Sequence, residues 1–283
     1  MNLILGMLIV FGSVLGGYVL SHGKLLALWQ PYELLILCGA ALGSFVIANP
    51  MSVIKKVFKA LPLLLTGSPY NKALHMDLFA LLFDIATKIR KTGLMSLEAD
   101  IDAPDTSEVF KKYPKILKDH HVMDFLTDNL RVIVAGSMAP HDFEALLDHE
   151  LGTHEEEAEK ASEALTRVSD ALPGFGIVAA VMGIVITMSL IGGDPKLLGE
   201  HVGAALVGTF LGILLAYGFV GPMSTALQEL AKVECKFFDC IKVFLVSITT
   251  GTPPSLSVEY ARRLLYANVK PSFQELEEHV KKK

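Results

Sequence analysis

The 283-residue sequence is poor in the features on which most enzymes and secreted domains are built. It holds three cysteines, with Cys38 in an apolar run and Cys235 and Cys240 five apart in a charged one. An odd count at that spacing suits neither a disulfide framework nor a zinc site, so free thiols in a reducing compartment are expected. No Walker loop, GxSxG elbow or dinucleotide fingerprint occurs, which leaves ordinary enzyme chemistry without a motif. HELGTH at 149–154 looks like a zinc-protease helix, but that motif needs histidines at i and i+4. His149 and His154 are five apart, ~140° around a helix, and the neighbours His120 and His121 likewise point to different faces.

Charge is also missing over long stretches. No Asp, Glu, Lys or Arg occurs in 1–23, 34–54, 171–193 or 201–228, and charges crowd into 55–170 and 229–283. With 52% hydrophobic residues and a mean hydropathy of +0.46, this partition predicts four transmembrane helices and two polar blocks. The first run lacks a basic n-region and an A-x-A site, so it reads as a span and not as a cleaved signal peptide. Only Lys24 and Lys196 of the 25 basic residues fall in the two short loops. The large blocks, and with them both termini, are therefore expected on the cytoplasmic side. The expected fold class is all-α: an integral membrane protein with four transmembrane helices and a large cytoplasmic helical domain. Its parts are spans one and two (1–50), a cytoplasmic helical domain (51–170), spans three and four (171–222) and a cytoplasmic extension with a tail (223–283).

Pattern then locates the helices. Span four carries small residues every fourth position (Ala204, Gly208, Gly212, Ala216), span one carries Gly12 and Gly16, and span two Gly39 and Gly43. Such stripes let helices approach closely where lipid supplies no hydrophobic drive. Pro31 suits the first turn of span two. Beside it, Glu33 reads either as a helix N-terminal carboxylate or as a channel-mouth acid. After Pro50 an amphipathic segment sets Ile54, Val57, Phe58 and Leu61 against Lys55, Lys56 and Lys59, as in an interfacial helix on the inner leaflet. A helix is predicted over 72–91, with Leu74, Leu78, Leu81, Leu82 and Ile85 on one face and Gly93 as its stop. Another is predicted over about 121–135. From Leu151 a seam of His154, Ala158, Ala161, Leu165, Val168 and Leu172 alternates in steps of three and four and runs into span three. Span four continues past Pro222 through Leu227, Leu230, Phe237 and Ile241 to the Gly251-Thr-Pro-Pro break, ~40 Å of helix. A short helix starts near Ser255, and Ser272-Phe-Gln-Glu275 is a capping box for a terminal one.

Ion-translocating proteins normally carry an ionisable group in mid-bilayer. Spans three and four carry none, only Thr187, Ser189 and Thr209 among small residues. Either they form a packed helix pair, or they line an ion path whose carboxylate comes from another polypeptide.

Five stretches carry a resemblance: GGYVL near the start, PYELLILCGAALGSF, LPGFGIVAAVMG, LVGTFLGILLAYGFVGP and KPSFQELEEHV near the end. In that order, and along the whole chain, the sequence resembles the MotA family, ion-channel subunits of the bacterial flagellar stator. The resemblance implies a proton-conducting, non-enzymatic subunit of the bacterial inner membrane, with no cofactor beyond the translocated ion and no nucleic acid. It implies a ring of five copies around the paired transmembrane helices of MotB, whose aspartate takes up the ion, and a push on the rotor protein FliG. Thr209 matches the threonine facing that aspartate. Ala180 matches a position where sodium-driven relatives tend to carry a threonine, and a methyl cannot replace sodium's hydration shell. Pro173 and Pro222 match the coupling prolines, against a plainer reading of Pro173 as a first-turn proline and Pro222 as a kink. Arg90 and Glu98 match rotor-contacting charges, with Glu150 a weaker match. The alternatives are a sodium-driven stator, an ExbB/TolQ-like energising unit, against which four spans and the PSFQELEEHV tail argue, and a scaffold without ion flow.

Overall fold

The computed structural model describes residues 2–136, 138–189 and 191–282. These are 83% helix, with no strand among the described residues. In chain order the helices are α1 (Asn2–Leu20), α2 (Leu25–Leu28), α3 (Pro31–Ala48), α4 (Met51–Ala60), α5 (Leu63–Thr66) and α6 (Lys72–Thr92). A 3₁₀ turn (Leu94–Leu97) leads to α7 (Glu98–Asp102), α8 (Glu108–Lys111), α9 (Pro114–Leu117) and α10 (His120–Ala135). The long α11 (Pro140–Met188) and α12 (Pro195–Leu215) follow. A π-helical turn (Ala216–Val220) joins α12 to α13 (Gly221–Thr249), and α14 (Pro254–Arg263) and α15 (Phe273–Lys282) close the chain. Four segments are long and apolar enough to cross a membrane: Leu3–Leu20, Leu25–Ala48, Pro140–Met188 and Pro195–Thr249.

The expected punctuation is present in atomic detail. Asn71 caps α6 by accepting the Leu74 N–H at 3.0 Å. Gly93 ends it at φ +85°, its N–H donating to Ile89 at 2.8 Å. This is a left-handed conformation that a side chain would strain. Ser272 and Glu275 make the reciprocal capping box, with Glu275 N–H to Ser272 Oγ at 3.1 Å and Ser272 N–H to Glu275 Oε2 at 2.7 Å. The turn before α12 is shorter than the uncharged run suggests. Asp194 accepts the Lys196 N–H at 2.9 Å and Pro195 takes the first helical position.

The chain divides into two compact units, residues 1–67 with 158–230 and residues 68–157 with 231–283. The border runs through α11 and α13, so each long helix belongs to both. In the first unit, α4 packs Val53, Ile54 and Val57 with Phe45 of α3 and with Ala161 and Ala164 of α11. Phe58, read from the sequence as part of the apolar face of an interfacial helix, is 60% exposed. Val53, with Ile54 and Val57, lies on the side of α4 that meets α11. A second cluster joins Leu37 and Ala41 of α3 to Leu172 and Ala216. In the second unit all five apolar residues expected to face inward on α6 are buried. They pack with Phe110, Tyr113, Leu126 and Leu130, and with Phe237, Phe238, Ile241 and Phe244 of α13. The seam on α11 is borne out: Ala161 and Leu172 are buried, and Leu151, His154, Ala158, Leu165 and Val168 are half-buried.

Candidate functional site

α11 and α12 meet backbone to backbone. A Cβ built on Gly176 would stand 2.9 Å from the Gly208 carbonyl oxygen, 3.2 Å from Thr209 Cα and 3.3 Å from Gly212 Cα. One on Gly212 would stand 2.8 Å from the Leu172 carbonyl, and one on Gly183 2.8 Å from Ala205 Cβ. Glycine at these places lets two spans approach closer than any side chain allows, the packing that stabilises helices in lipid. The stripe on span four was expected to let another helix approach closely, and that helix is α11. Gly208 and Gly212 meet α11 within the chain, and Ala216 is buried beside Leu37, Ala41 and Leu172. Span one and span two differ: a Cβ on Gly12, Gly16, Gly39 or Gly43 meets nothing within 4 Å, so those faces are open on this chain.

Thr209 sits at the closest part of this interface, half-buried, with Oγ1 donating to the Gly176 carbonyl at 3.4 Å. That bond is at the long limit and leaves both oxygen lone pairs unused, so the hydroxyl can still receive a proton donor. Ala180, one turn from Gly176, is 8% exposed, and its N–H lies 3.6 Å from where a Gly208 side chain would begin. Thr187 spends its proton on the Gly183 carbonyl at 2.7 Å, within its own helix.

An acid reaches the same interface. Glu33, in the first turn of α3, places Oε2 3.1 Å from the Cβ position of Gly208 and Oε1 3.7 Å from that of Gly183. Any side chain at residue 208 would occupy that seat. Oε2 is buried and has no hydrogen-bond partner among the described residues, and an unpaired buried carboxylate oxygen marks a place where a proton or a donor is expected. The sequence left Glu33 between two readings. The geometry places its carboxylate against α11 and α12, so its surroundings are more than a helix terminus. Only the three-helix packing reveals this, since residues 33, 183 and 208 share no local pattern.

Below this level both prolines disturb their helices. Pro173 lies in the interior of the 49-residue α11, so the first-turn reading fails. In an α-helix its missing N–H leaves the Ser169 carbonyl without an intrahelical donor. Pro222 follows the π-helical turn, whose extra residue accommodates a ring that would clash with a regular turn. The two irregularities are tied together. Ser169 Oγ donates to the Ala216 carbonyl at 2.9 Å, the same oxygen that accepts the Gly221 N–H. Gly221 is tightly fitted, because a Cβ on it would stand 3.1 Å from both Ala216 O and Ser169 Oγ and would press on the hydroxyl that makes this bond. Two turns further along α11, Ser224 Oγ donates to the Ser162 carbonyl at 2.7 Å and lies 2.6 Å from Thr166 Oγ1. Ser162, Ser169 and Ser224 are each 4% exposed. The hydroxyl ladder had no signal in the sequence, where serines spaced along two helices look like surface residues.

The candidate rotor charges occupy the second unit. Arg90 (last turn of α6) and Glu98 (start of α7) are exposed and unpaired among the described residues. The turn between them is braced by Thr92 Oγ1 to Lys88 O (2.8 Å) and to Ser96 Oγ (2.8 Å). A Lys88–Asp100 ion pair and Ser107 Oγ to Asp100 Oδ1 at 2.7 Å add to it. Glu150 is different: Asn129, itself buried, donates to its Oε2 at 2.9 Å, which fixes the carboxylate to the fold. His154 of the HELGTH stretch places Nε2 3.3 Å from Glu234 Oε1, with its ring 4.2 Å from that of Phe238.

Apolar helices packed through glycine, with one hydroxyl and one unpaired carboxylate oxygen at the contact, define a channel-type helical membrane protein. Family models agree: "Motility protein A N-terminal" matches residues 4–93, and "MotA/TolQ/ExbB proton channel family" matches residues 118–239. Motility protein A of Escherichia coli K12 is 48% identical over 281 residues, 99% of this chain and 95% of that protein. Chemotaxis protein LafT of Vibrio parahaemolyticus is 40% identical over 277 residues, 98% of this chain and 97% of that one. The chain belongs to the motility protein A family. Its fold is also that of two solved structures. One is MotAB of C. jejuni (TM-score 0.75, 20% identity, 94% of this chain and 96% of that one). The other is the flagellar MotAB stator complex from Bacillus subtilis (TM-score 0.71, 23% identity, 97% and 98%).

Proposed function

We propose that the chain is the proton-conducting subunit of a flagellar stator, working in a ring of five around the paired transmembrane helices of a MotB-like partner and turning a FliG-bearing rotor. The observation that carries this reading is the contact of α3, α11 and α12, where Thr209 keeps hydrogen-bonding capacity and Glu33 keeps an unpaired oxygen inside an otherwise apolar region. The partner's aspartate supplies the principal ion-binding carboxylate. Thr209 orients it, and Glu33 accepts or returns the proton at the ring. Ala180 offers a methyl where a sodium path needs an oxygen, which favours protons. Both termini face the cytoplasm of the inner membrane, since 23 of the 25 basic residues lie in the large blocks.

Pro173, the π turn and Pro222 form the flexible level at which ion uptake moves α11 and α13. These two helices carry the displacement to the unit that presents Arg90 and Glu98. Those charges act by complementarity with the rotor and need no sticky apolar contact. Glu150 supports the surface through Asn129.

The test is co-expression with the partner whose plug segment has been removed, reading cytoplasmic pH. Wild type acidifies the cytoplasm, and Glu33→Gln slows acidification about tenfold or more, the scale of a lost proton-transfer group. An unchanged cytoplasmic pH in wild type refutes the channel reading. Motility that collapses when sodium is withdrawn refutes the proton assignment alone.

A further inference from the structure

Just beyond the π turn, α11 and α13 are joined within the first unit by polar side chains as well as by apolar contact. Glu159, Ser162, Thr166 and Ser169 recur in steps of three, four and three, and so share one face of α11. Ser224 and Gln228, four apart, share one face of α13. Two neighbouring hydroxyls turn inward to their own helices, Ser162 to the Glu159 carbonyl at 2.8 Å and Thr225 to the Gly221 carbonyl at 3.2 Å. Ser224 does not. Its Oγ lies 2.7 Å from the Ser162 carbonyl oxygen and 2.6 Å from Thr166 Oγ1, both across the interface.

A serine hydroxyl has one proton to give, and at Ser224 two acceptors compete for it. In one arrangement Ser224 donates to the Ser162 carbonyl and Thr166 donates to Ser224. In the other Ser224 donates to Thr166 Oγ1, and Thr166 turns its own proton to the Ser162 carbonyl, 3.1 Å away. Each arrangement makes two hydrogen bonds, and each keeps the 2.6 Å link between the helices. Ser224 is buried, so its hydroxyl would be destabilising if left unpaired. Exchange of acceptors keeps it paired when α13 shifts against α11. Thr166, exposed on this chain, has room to turn. The neighbouring contacts are built differently. Ser169 Oγ has one acceptor among the described residues, the Ala216 carbonyl at 2.9 Å, and is hemmed in by Gly221. Gln228 Nε2 reaches Glu159 Oε1 at 3.4 Å through two flexible side chains. The helix pair is thus fixed at Ser169, exchangeable at Ser224 and compliant at Gln228.

We propose that Ser224 is a two-position latch, alternating between the Ser162 carbonyl and the Thr166 hydroxyl as α13 slides on α11 about the fixed contact at Ser169. Shear of this kind moves packed helices by small steps, and the two acceptors, 3.1 Å apart, bound the step. The slide itself rests only on the packing of the two helices. Its use, carrying movement from the proline level toward the rotor, rests on the stator reading above. Thr166 and Ser224 are then positioning residues, set apart from Thr209 and Glu33.

The test uses the full chain complexed with its MotB-like partner in nanodiscs, with amide exchange over residues 224–230 read by hydrogen–deuterium mass spectrometry. Thr166→Val keeps the side-chain shape and removes one acceptor, so Ser224 stays on the Ser162 carbonyl and exchange falls below wild type. Ser224→Ala removes the link and raises exchange about fivefold, the equilibrium ratio that one net hydrogen bond carries. Thr166→Ser keeps both acceptors and the wild-type rate. A static brace would make both removals raise exchange. A Thr166→Val rate at or above wild type therefore overturns the latch, as does a Ser224→Ala rate equal to wild type. Should Ser224→Ala fail to assemble, Thr166→Val and Thr166→Ser decide alone. In motile cells Thr166→Val should slow swimming, while its complex lacking the partner's plug still acidifies the cytoplasm at the wild-type rate. Wild-type swimming by Thr166→Val overturns the coupling role. If wild type acidifies nothing while the two exchange shifts keep their opposite signs, the latch stands and only the stator reading falls.

Discussion

Replacing Gly176 by alanine tests the account of spans three and four most directly. The new methyl would lie 2.9 Å from the Gly208 carbonyl, 3.2 Å from Thr209 Cα and 3.3 Å from Gly212 Cα. All three are backbone atoms of a packed helix and cannot swing aside as the end of a flexible side chain can. Alanine gains about 1 kcal/mol of helix propensity over glycine, and overpacking a filled contact costs about 1–3 kcal/mol. Gly12→Ala is the matched control, because its Cβ meets nothing within 4 Å and it takes the propensity gain alone. The two variants should therefore differ by about 1–3 kcal/mol, with Gly176→Ala the less stable. Separation of the helices should also stretch the 3.4 Å contact of Thr209 to Gly176 and lower proton conductance. The assay is unfolding of the complex in mixed micelles on titration with SDS, followed by far-ultraviolet circular dichroism, alongside the cytoplasmic-pH measurement. If Gly176→Ala proves as stable as Gly12→Ala, the backbone contact is not what holds the pair together.

Three further expectations follow from other parts of the molecule. Ser169→Ala removes the second donor from the Ala216 carbonyl at the π turn and costs about 1 kcal/mol. Amide exchange at Gly221, measured by hydrogen–deuterium mass spectrometry, should rise, and unchanged exchange would mean that the serine braces nothing. Charge reversal at Arg90 together with Glu98 should reduce swimming while leaving co-purification with the partner intact, because neither side chain is paired among the described residues. Loss of the complex would assign both residues to stability.

Glu259 accepts hydrogen bonds from Arg262 (2.7 and 2.8 Å) and Arg263 (2.8 Å), which hold its carboxyl down at about 2. A folded-state value below the ordinary 4.5 means that this stabilisation is complete above about pH 4.5 and fades as pH falls towards 2. Glu259→Gln should therefore lower the thermal midpoint at neutral pH, with the gap from wild type closing only below that value. A gap independent of pH down to 3 would show that the ionised carboxylate is not what the arginines bind.

Much of the fold was legible because its signals are local. Asn71 and Gly93 bracket α6, Ser272 and Glu275 open α15, and the steps of three and four from Leu151 to Leu172 mark one helix face. Each rests on geometry within a few residues of chain. A helix with apolar residues at 53, 54, 57, 58 and 61 has a broad apolar arc, and only the position of α11 selects Val53, Ile54 and Val57 as the part that the chain itself covers.

By itself the sequence determined how many segments could enter a bilayer, where helices begin and end, and that spans three and four bring no acid of their own. These follow from hydropathy, from hydrogen bonding at helix ends and from counting charges, none of which needs a neighbour in space. Tertiary structure alone decided that Gly208 and Gly212 serve α11 and not another subunit. It also decided that Glu33 ends against those glycines, and that Ser169 links the disturbance at Pro173 to the one at Pro222. Each of these joins residues tens to more than a hundred positions apart, and the physical event is an approach of backbones that leaves a Cβ less than 3 Å of room, or a single hydrogen bond between helices. A helix pattern states which face is small, and only packing states what fills the space that smallness leaves.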